Sequence, residues 1–263
     1  MHSLKPKLRF FRRIEAGENL HVLALGSSNT EHFMVGAHWF DYVNIGLMHT
    51  YRRLGSKPEH LANPNFCLSD PFAADNPHQC LNAGISNSTT ADLLARFERD
   101  VVPFRPDLVI LTAGINDANP KREISPEMCR RNLIELRRRI NAWGGEVIFQ
   151  TAYSCDVDEL RPISPGWVEN YPVYAGVVRE VAGELLHDVY TRWERLRNYD
   201  LKAYRLLMRD SLHLNPLGNA VIGLDLARLL ELRIPDENLP WIGAAVFARD
   251  CMDLLEAAEE GAR

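Results

Sequence analysis

The sequence predicts an α/β fold in which a parallel sheet of about five strands is covered by helices on both faces. Two observations lead there. Short apolar runs bounded by turn residues recur along the chain, and longer segments with apolar residues at helical spacing separate them, the alternation expected of strands linked by crossover helices. A third observation sets the scale. The chain has 263 residues, 46% of them hydrophobic and 25% charged, which is an ordinary globular composition with enough chain to bury a core. We read 1–263 as one domain, with 1–19 as an N-terminal extension and 250–263 as a C-terminal helical tail.

The first strand runs from Leu20 to Leu25 and stops at Gly26. Weaker strand signals lie around Cys80 and Leu81, and at His187 to Tyr190; clear ones span Leu108 to Thr112 and Val147 to Thr151. Between them, Ser125 is placed to cap a helix and Pro126 suits its first turn. Cys129, Leu133, Leu136 and Ile140 follow at helical spacing, and Gly144 and Gly145 end the pattern. A second helix is expected to open at Pro172 and to carry Val177, Val181 and Leu185. A third opens at Asn215 and Pro216, with Leu217, Val221, Leu224, Ala227 and Leu230 on one stripe. The Asn-, Pro- and Asp-rich stretch from His60 to His78 reads as a surface loop.

Charge and cysteine usage exclude several classes. Thirty Lys and Arg against 35 Asp and Glu leave a net charge of −5, without the basic footprint of a nucleic-acid binder. The five cysteines, Cys67, Cys80, Cys129, Cys155 and Cys251, are odd in number and scattered, so reduced thiols are expected rather than a disulfide framework or zinc site. No apolar stretch approaches the length of a membrane span, and the basic segment up to Arg13 is followed by Glu15 and Glu18 rather than an apolar leader. A cytoplasmic protein without metal or cofactor is the expectation. The oligomeric state is not legible.

In a parallel sheet the ligand site lies beyond the carboxyl ends of the strands. Four polar segments occupy such places: Gly26 to Thr30, Asn82 to Ser86, Gly114 to Asp117, and Asp210 to His213 before the last core helix. They offer a serine hydroxyl, glycine amides, a side-chain amide, and an imidazole with a carboxylate neighbour. That set is sufficient for acyl transfer by a serine nucleophile.

Read as G-S-S-N-T, N-A-G-I-S, G-I-N-D and D-S-L-H, these ordered segments resemble the blocks of the SGNH or GDSL family of ester hydrolases. Each block alone is weak; their order and placement from Gly26 to His213 make the signal strong. The resemblance implies a flavodoxin-like, three-layer α/β/α sandwich and a hydrolase without a metal. Carried over by position, it makes Ser28 the nucleophile, His213 the general base and Asp210 the group that holds the imidazole. The backbone amides of Ser28 and Gly84 and the side-chain amide of Asn116 form the implied oxyanion hole. The chemistry asks for these types: neutral imidazole takes the serine proton, a buried carboxylate fixes its tautomer, glycine admits the substrate oxygen, and asparagine donates without charge.

One position departs from the family pattern. Ser27 stands where the family usually has aspartate, so two adjacent hydroxyls compete; Ser28 is chosen because it lies two residues after Gly26. Taken singly, Ser27, Ser28 and Asn29 could cap a helix, Gly84 and Gly114 could be turn glycines, and His213 could be a surface residue. Asp117 is expected to order its own loop, and His32, His38 and His78 to be structural or surface groups.

The function that follows is a serine esterase acting through an acyl-enzyme on a small-molecule or carbohydrate ester, with a short acyl or acetyl group favoured. A thioesterase or lysophospholipase would use the same residues, and a silent binding module could keep the fold. Pocket walls are expected from His32 to Trp39, Tyr153 to Pro165 and Trp167 to Tyr171, whose aromatics Trp39, Tyr153 and Trp167 would suit a sugar or lie in the core. The segment G-S-S-N-T lacks the G-x-S-x-G elbow of α/β-hydrolases, and no dinucleotide or P-loop motif is present.

Overall fold

Five strands pair in parallel in the order β2-β1-β3-β4-β5. They are β1 (Leu20–Gly26), β2 (His78–Gly84), β3 (Leu108–Ala113), β4 (Glu146–Thr151) and β5 (Leu186–His187). The structure is a computed structural model that describes residues 3–32, 38–51, 78–234 and 242–261, without the side chains of 242–249. Around the sheet run α1 (Arg9–Glu15), α2 (Trp39–Tyr51), α3 (Thr90–Ala95), α4 (Phe97–Asp100), α5 (Pro126–Asn141) and α6 (Val157–Leu160). The series continues with α7 (Pro165–Ala182), α8 (Val189–Tyr199), α9 (Leu201–Leu206), α10 (Pro216–Leu229) and α11 (Ile242–Glu260).

The central strands are apolar at successive positions because both faces are covered. Leu20, Val22 and Ala24 join Leu108, Ile110 and Ile148 in a core shared with α1, α2, α8, α10 and α11. The residues between them, Leu23, Leu25, Val109, Leu111, Val147 and Phe149, point into a second core against α3, α4, α5 and α7. The result is a three-layer α/β/α sandwich. From β1 the chain moves outward to β2, then returns to the other side of β1 for β3. The carboxyl ends of β1 and β3 therefore flank the point where strand order reverses, the place where open α/β sheets bind ligands.

The edges explain the weaker strand signals. β2 has a largely half-exposed pattern, and β5 is two residues long. The strand expected at His187 to Tyr190 ends at His187 because the Asp188 side chain accepts from the Thr191 amide and starts α8. Local capping wins there over the β-propensity of Val189 and Tyr190.

α5 forms as expected: Ser125 Oγ accepts from Met128 N at 3.1 Å, and Cys129, Leu133, Leu136 and Ile140 are fully buried. α7 does not open at Pro172. It opens at Pro165, holds Pro172 in its interior, and ends before Gly183, so Leu185 lies past it. Trp167 and Tyr171, expected in a pocket wall, are thus helical. α10 starts as expected, with Asn215 Oδ1 accepting from Leu217 N and Gly218 N. Its buried surface is wider than one stripe because it packs between α2 and α11.

The helix near the C-terminus begins at Ile242, before residue 250. Within the N-terminal segment, Leu8, Phe10, Phe11 and Ile14 belong to the same core as β1. His78 opens β2, while 60–77 and 33–37 lie outside the described residues. Cys129, Cys155 and Cys251 are buried free thiols and Cys80 is half-buried; Cys67 lies outside the described residues. Among the described residues no cluster could hold a metal ion, and no helix is long and apolar enough to cross a membrane.

Candidate active site

The turn after β1 is closed by Ser27, whose carbonyl accepts from the amides of Thr30 and Glu31, each at 2.9 Å. This turn buries Ser27 and leaves Ser28 half-buried. Gly26 sits opposite Gly84 in the parallel register. A Cβ at Gly84 would lie 2.3 Å from Glu31 N and 2.4 Å from the Thr30 carbonyl carbon, so only glycine lets β2 end against the turn. Glu31 then reaches across, its carboxylate accepting from Ser86 N at 3.1 Å and from the Ser86 hydroxyl.

His213 arrives from the loop before α10. Its Nε2 lies 3.1 Å from Ser28 Oγ, and its Nδ1 lies 2.9 and 3.0 Å from the two oxygens of Asp210. An ionised carboxylate only accepts, so Nδ1 carries the proton and Nε2 is left as an acceptor for the serine hydroxyl. Burial works to raise the Asp210 carboxyl. The Leu212 amide at 2.9 Å, the imidazole and Arg209 outweigh it and hold the group below the usual carboxylate range, and the His213 amide also donates to it at 2.8 Å. Asp210 is nonetheless 44% exposed, where a buried carboxylate was expected. Its orientation comes from these donors rather than from enclosure.

Gly84 and Asn116 stand at the ends of the two strands flanking β1, and each is hydrogen-bonded elsewhere. The Gly84 amide donates to Asn82 Oδ1 at 2.9 Å. Asn116 Nδ2 donates to the Ser88 carbonyl at 3.0 Å, which leaves its second proton uncommitted by that bond. Asp117 accepts from the Thr90 amide at 3.0 Å and from the Thr90 hydroxyl, tying its loop to α3.

A narrow crevice at Ser28 is lined by Asn29, Glu31, His38, Tyr153, His213, Leu214 and Asn219. Of the aromatics that could suit a sugar or lie in the core, Trp39 and Tyr153 are buried core side chains. Half-buried Trp167 donates its indole N–H to the Ile115 carbonyl beside Asn116. His38 is a buried structural group, its Nε2 3.1 Å from the Asn29 carbonyl. His78 is also buried, whereas His32 is exposed beside Asp41.

Sequence reasoning missed Glu31, Arg96 and the role of Tyr153. Arg96 is buried on α3's C-terminal side and donates to Gly26 O and Ala83 O, each at 2.8 Å, joining the ends of β1 and β2. The only trace of this in the sequence is Asp100 four residues later, which receives the same guanidinium at 2.7 Å.

The family model for GDSL-like lipases and acylhydrolases matches residues 24–221, from β1 into α10. The chain belongs to this GDSL-like family. Its enzyme class is accordingly carboxylic ester hydrolase. Among solved structures, an acetylxylan esterase from Geobacillus stearothermophilus is similar at 20% identity and TM-score 0.61, over 82% of this chain and 96% of that one. A second acetyl xylan esterase matches at 16% identity and TM-score 0.59, over 79% of this chain and 98% of that one. At such identities the likeness establishes the shared fold of the GDSL-like chain. No curated protein matches it.

Proposed function

We propose that this GDSL-like hydrolase is a serine esterase that works through an acyl-enzyme, with Ser28 as nucleophile, His213 as general base and Asp210 as the orienting carboxylate. The observation that carries the reading is the unbroken chain of contacts from Asp210 through Nδ1 and Nε2 of His213 to Ser28 Oγ, at 2.9 and 3.1 Å. In the first half-reaction Nε2 takes the Ser28 proton as Oγ bonds to the acyl carbon. The imidazolium then returns that proton to the departing alcohol as the ester C–O bond breaks. Water repeats the sequence and releases the acid.

The developing oxyanion is assigned to the Ser28 amide and the Asn116 side chain, where one amide proton is not used by Ser88. Gly84 joins them when Asn82 releases its amide. The half-exposed Ser28 beside Asn29, His38, Leu214 and Tyr153 favours a small acyl group. The acetylxylan esterases of similar fold, one described as a catalytic mutant at a histidine, favour an acetylated carbohydrate as the substrate.

The discriminating experiment compares acetylated xylooligosaccharides with nitrophenyl esters of increasing chain length, in wild type and Ser28→Ala. Serine-dependent acetate release that falls with acyl length supports the reading. A preference for long acyl chains or for thioesters selects the lysophospholipase or thioesterase alternative. Turnover unaffected by Ser28→Ala removes the serine mechanism.

A further inference from the structure

We infer that Tyr153 is a positioning residue of the hydrolytic site, whose hydroxyl ties the backbone on both sides of His213 to Asn29, the neighbour of Ser28. The inference rests on the assignment of Ser28 and His213 given above. The phenol oxygen lies 2.8 Å from the Leu212 carbonyl, 3.1 Å from the Leu214 amide and 2.8 Å from Asn29 Oδ1. Residues 212 and 214 bracket the base, and residue 29 follows the nucleophile. A single buried atom therefore spans two segments that are 185 residues apart at Ser28 and His213.

The proton count sharpens this. A phenol has one proton to donate, yet it faces two acceptors as well as the Leu214 N–H. Asn29 Nδ2, meanwhile, is buried without a partner among the described residues. Turning the Asn29 amide end for end balances the protons at the phenol: Nδ2 then donates to the phenol oxygen, the phenol donates to Leu212 O, and Leu214 N–H donates to the phenol. Asn29 is itself held, its carbonyl accepting from Trp39 Nε1 at 2.8 Å and from His38.

The ring cannot swing away to release the tie. Tyr153 is 3% exposed, and its ring packs on Trp193 at 5.5 Å between centroids. Trp193 in turn packs on Tyr204, whose hydroxyl donates to Ser154 O next along the chain from Tyr153. Burial pushes the phenol far above its ordinary range, so it keeps its proton wherever the base is active. Leu214 N–H and Leu212 O also have the phenol as their partner, so losing it leaves the loop that carries Nε2 held by Asp210 and its own backbone bonds but no longer registered against Asn29.

The test is Tyr153→Phe, which keeps the ring and deletes the tie, beside Trp193→Phe, which weakens the packing and keeps the tie. Wild type must first hydrolyse nitrophenyl acetate and take a fluorophosphonate label at Ser28; if it does neither, the assignment of the site fails, and this inference with it. Given that activity, Tyr153→Phe is expected to lower kcat by about 10- to 100-fold with KM changed by about twofold or less, and to slow labelling in step. Trp193→Phe is expected to lower the melting temperature and keep kcat within about threefold. A Tyr153→Phe enzyme that is folded and turns over like Trp193→Phe overturns the positioning role while leaving the serine mechanism standing. Should Tyr153→Phe not fold, Asn29→Ala removes one arm of the tie; wild-type kcat in that variant overturns the inference and a fall in kcat without a matching change in KM supports it.

Discussion

Nδ1 of His213 lies 2.9 and 3.0 Å from the two oxygens of Asp210, so one imidazole edge is fixed by a carboxylate that is itself held by the amides of residues 212 and 213. Replacing Asp210 by Asn offers Nδ1 an amide N–H as readily as a carbonyl, and the tautomer that leaves Nε2 free to accept is no longer enforced. We expect Asp210→Asn to lower kcat by roughly 10³- to 10⁴-fold with the fold retained. Steady-state kinetics and a thermal melt check this. A rate within tenfold (~10) of wild type would remove Asp210 from the mechanism.

Asn116 donates to Ser88 O, and the proposal gives its second amide proton to the substrate oxygen. Its contribution should be greatest when negative charge develops. Asn116→Ala is expected to lower kcat by about 10²- to 10³-fold with little change in KM. An effect on KM alone would make it a ground-state binding group.

Arg96 ties Gly26 O to Ala83 O from a buried position and shares its charge with Asp100. Arg96→Met removes three charge-assisted bonds and leaves two strand-end carbonyls short of a donor, at a cost of about 2 to 4 kcal/mol. Urea unfolding measures it. An unchanged midpoint would show that the strand ends hold without the guanidinium.

Stability should fall with acid before the carboxylates titrate. Burial pushes His38 down to about 4 against the pull of the Asn29 carbonyl and Asp41, and likewise pushes His78 down to about 4 against Asn44. The unfolded chain takes up these protons near the ordinary histidine value of ~6.5, while the folded chain does not until about 4. Stability is therefore lost as pH falls through that window, by at most about 3 kcal/mol for each histidine. Below it the loss continues at Asp225, which is disfavoured by burial but held low by His187 and Arg192. Urea midpoints at a series of pH values test the sign; a midpoint that is level or rises on acidification across the histidine window would contradict it.

What was legible in the sequence follows from what each residue contacts. β1, β3 and β4 announce themselves because helices cover both faces, so most of their positions are buried and their centres are continuous apolar runs. β5 does not, since two residues at an edge carry little pattern and the next one caps a helix. Ser28, Asp210 and His213 stand in short local blocks visible in the sequence, and the fold brings the three side chains into contact. Arg96, Glu31 and Tyr153 were not: they bind backbone atoms and neighbours that only the tertiary fold brings within reach, and no spacing encodes those partners. The start of α7 was misplaced because Pro172 looks like a first-turn proline, while Pro165, seven residues earlier, takes that role.

The central claim is that Ser28, and not its buried neighbour Ser27, is the activated nucleophile. The most direct measurement is mass spectrometry of the peptide labelled by a fluorophosphonate, in wild type, Ser28→Ala and His213→Ala. The account predicts a single phosphonyl adduct on Ser28, absent in Ser28→Ala and slowed by orders of magnitude in His213→Ala. An adduct on Ser27, or labelling that proceeds at the wild-type rate without His213, would contradict it.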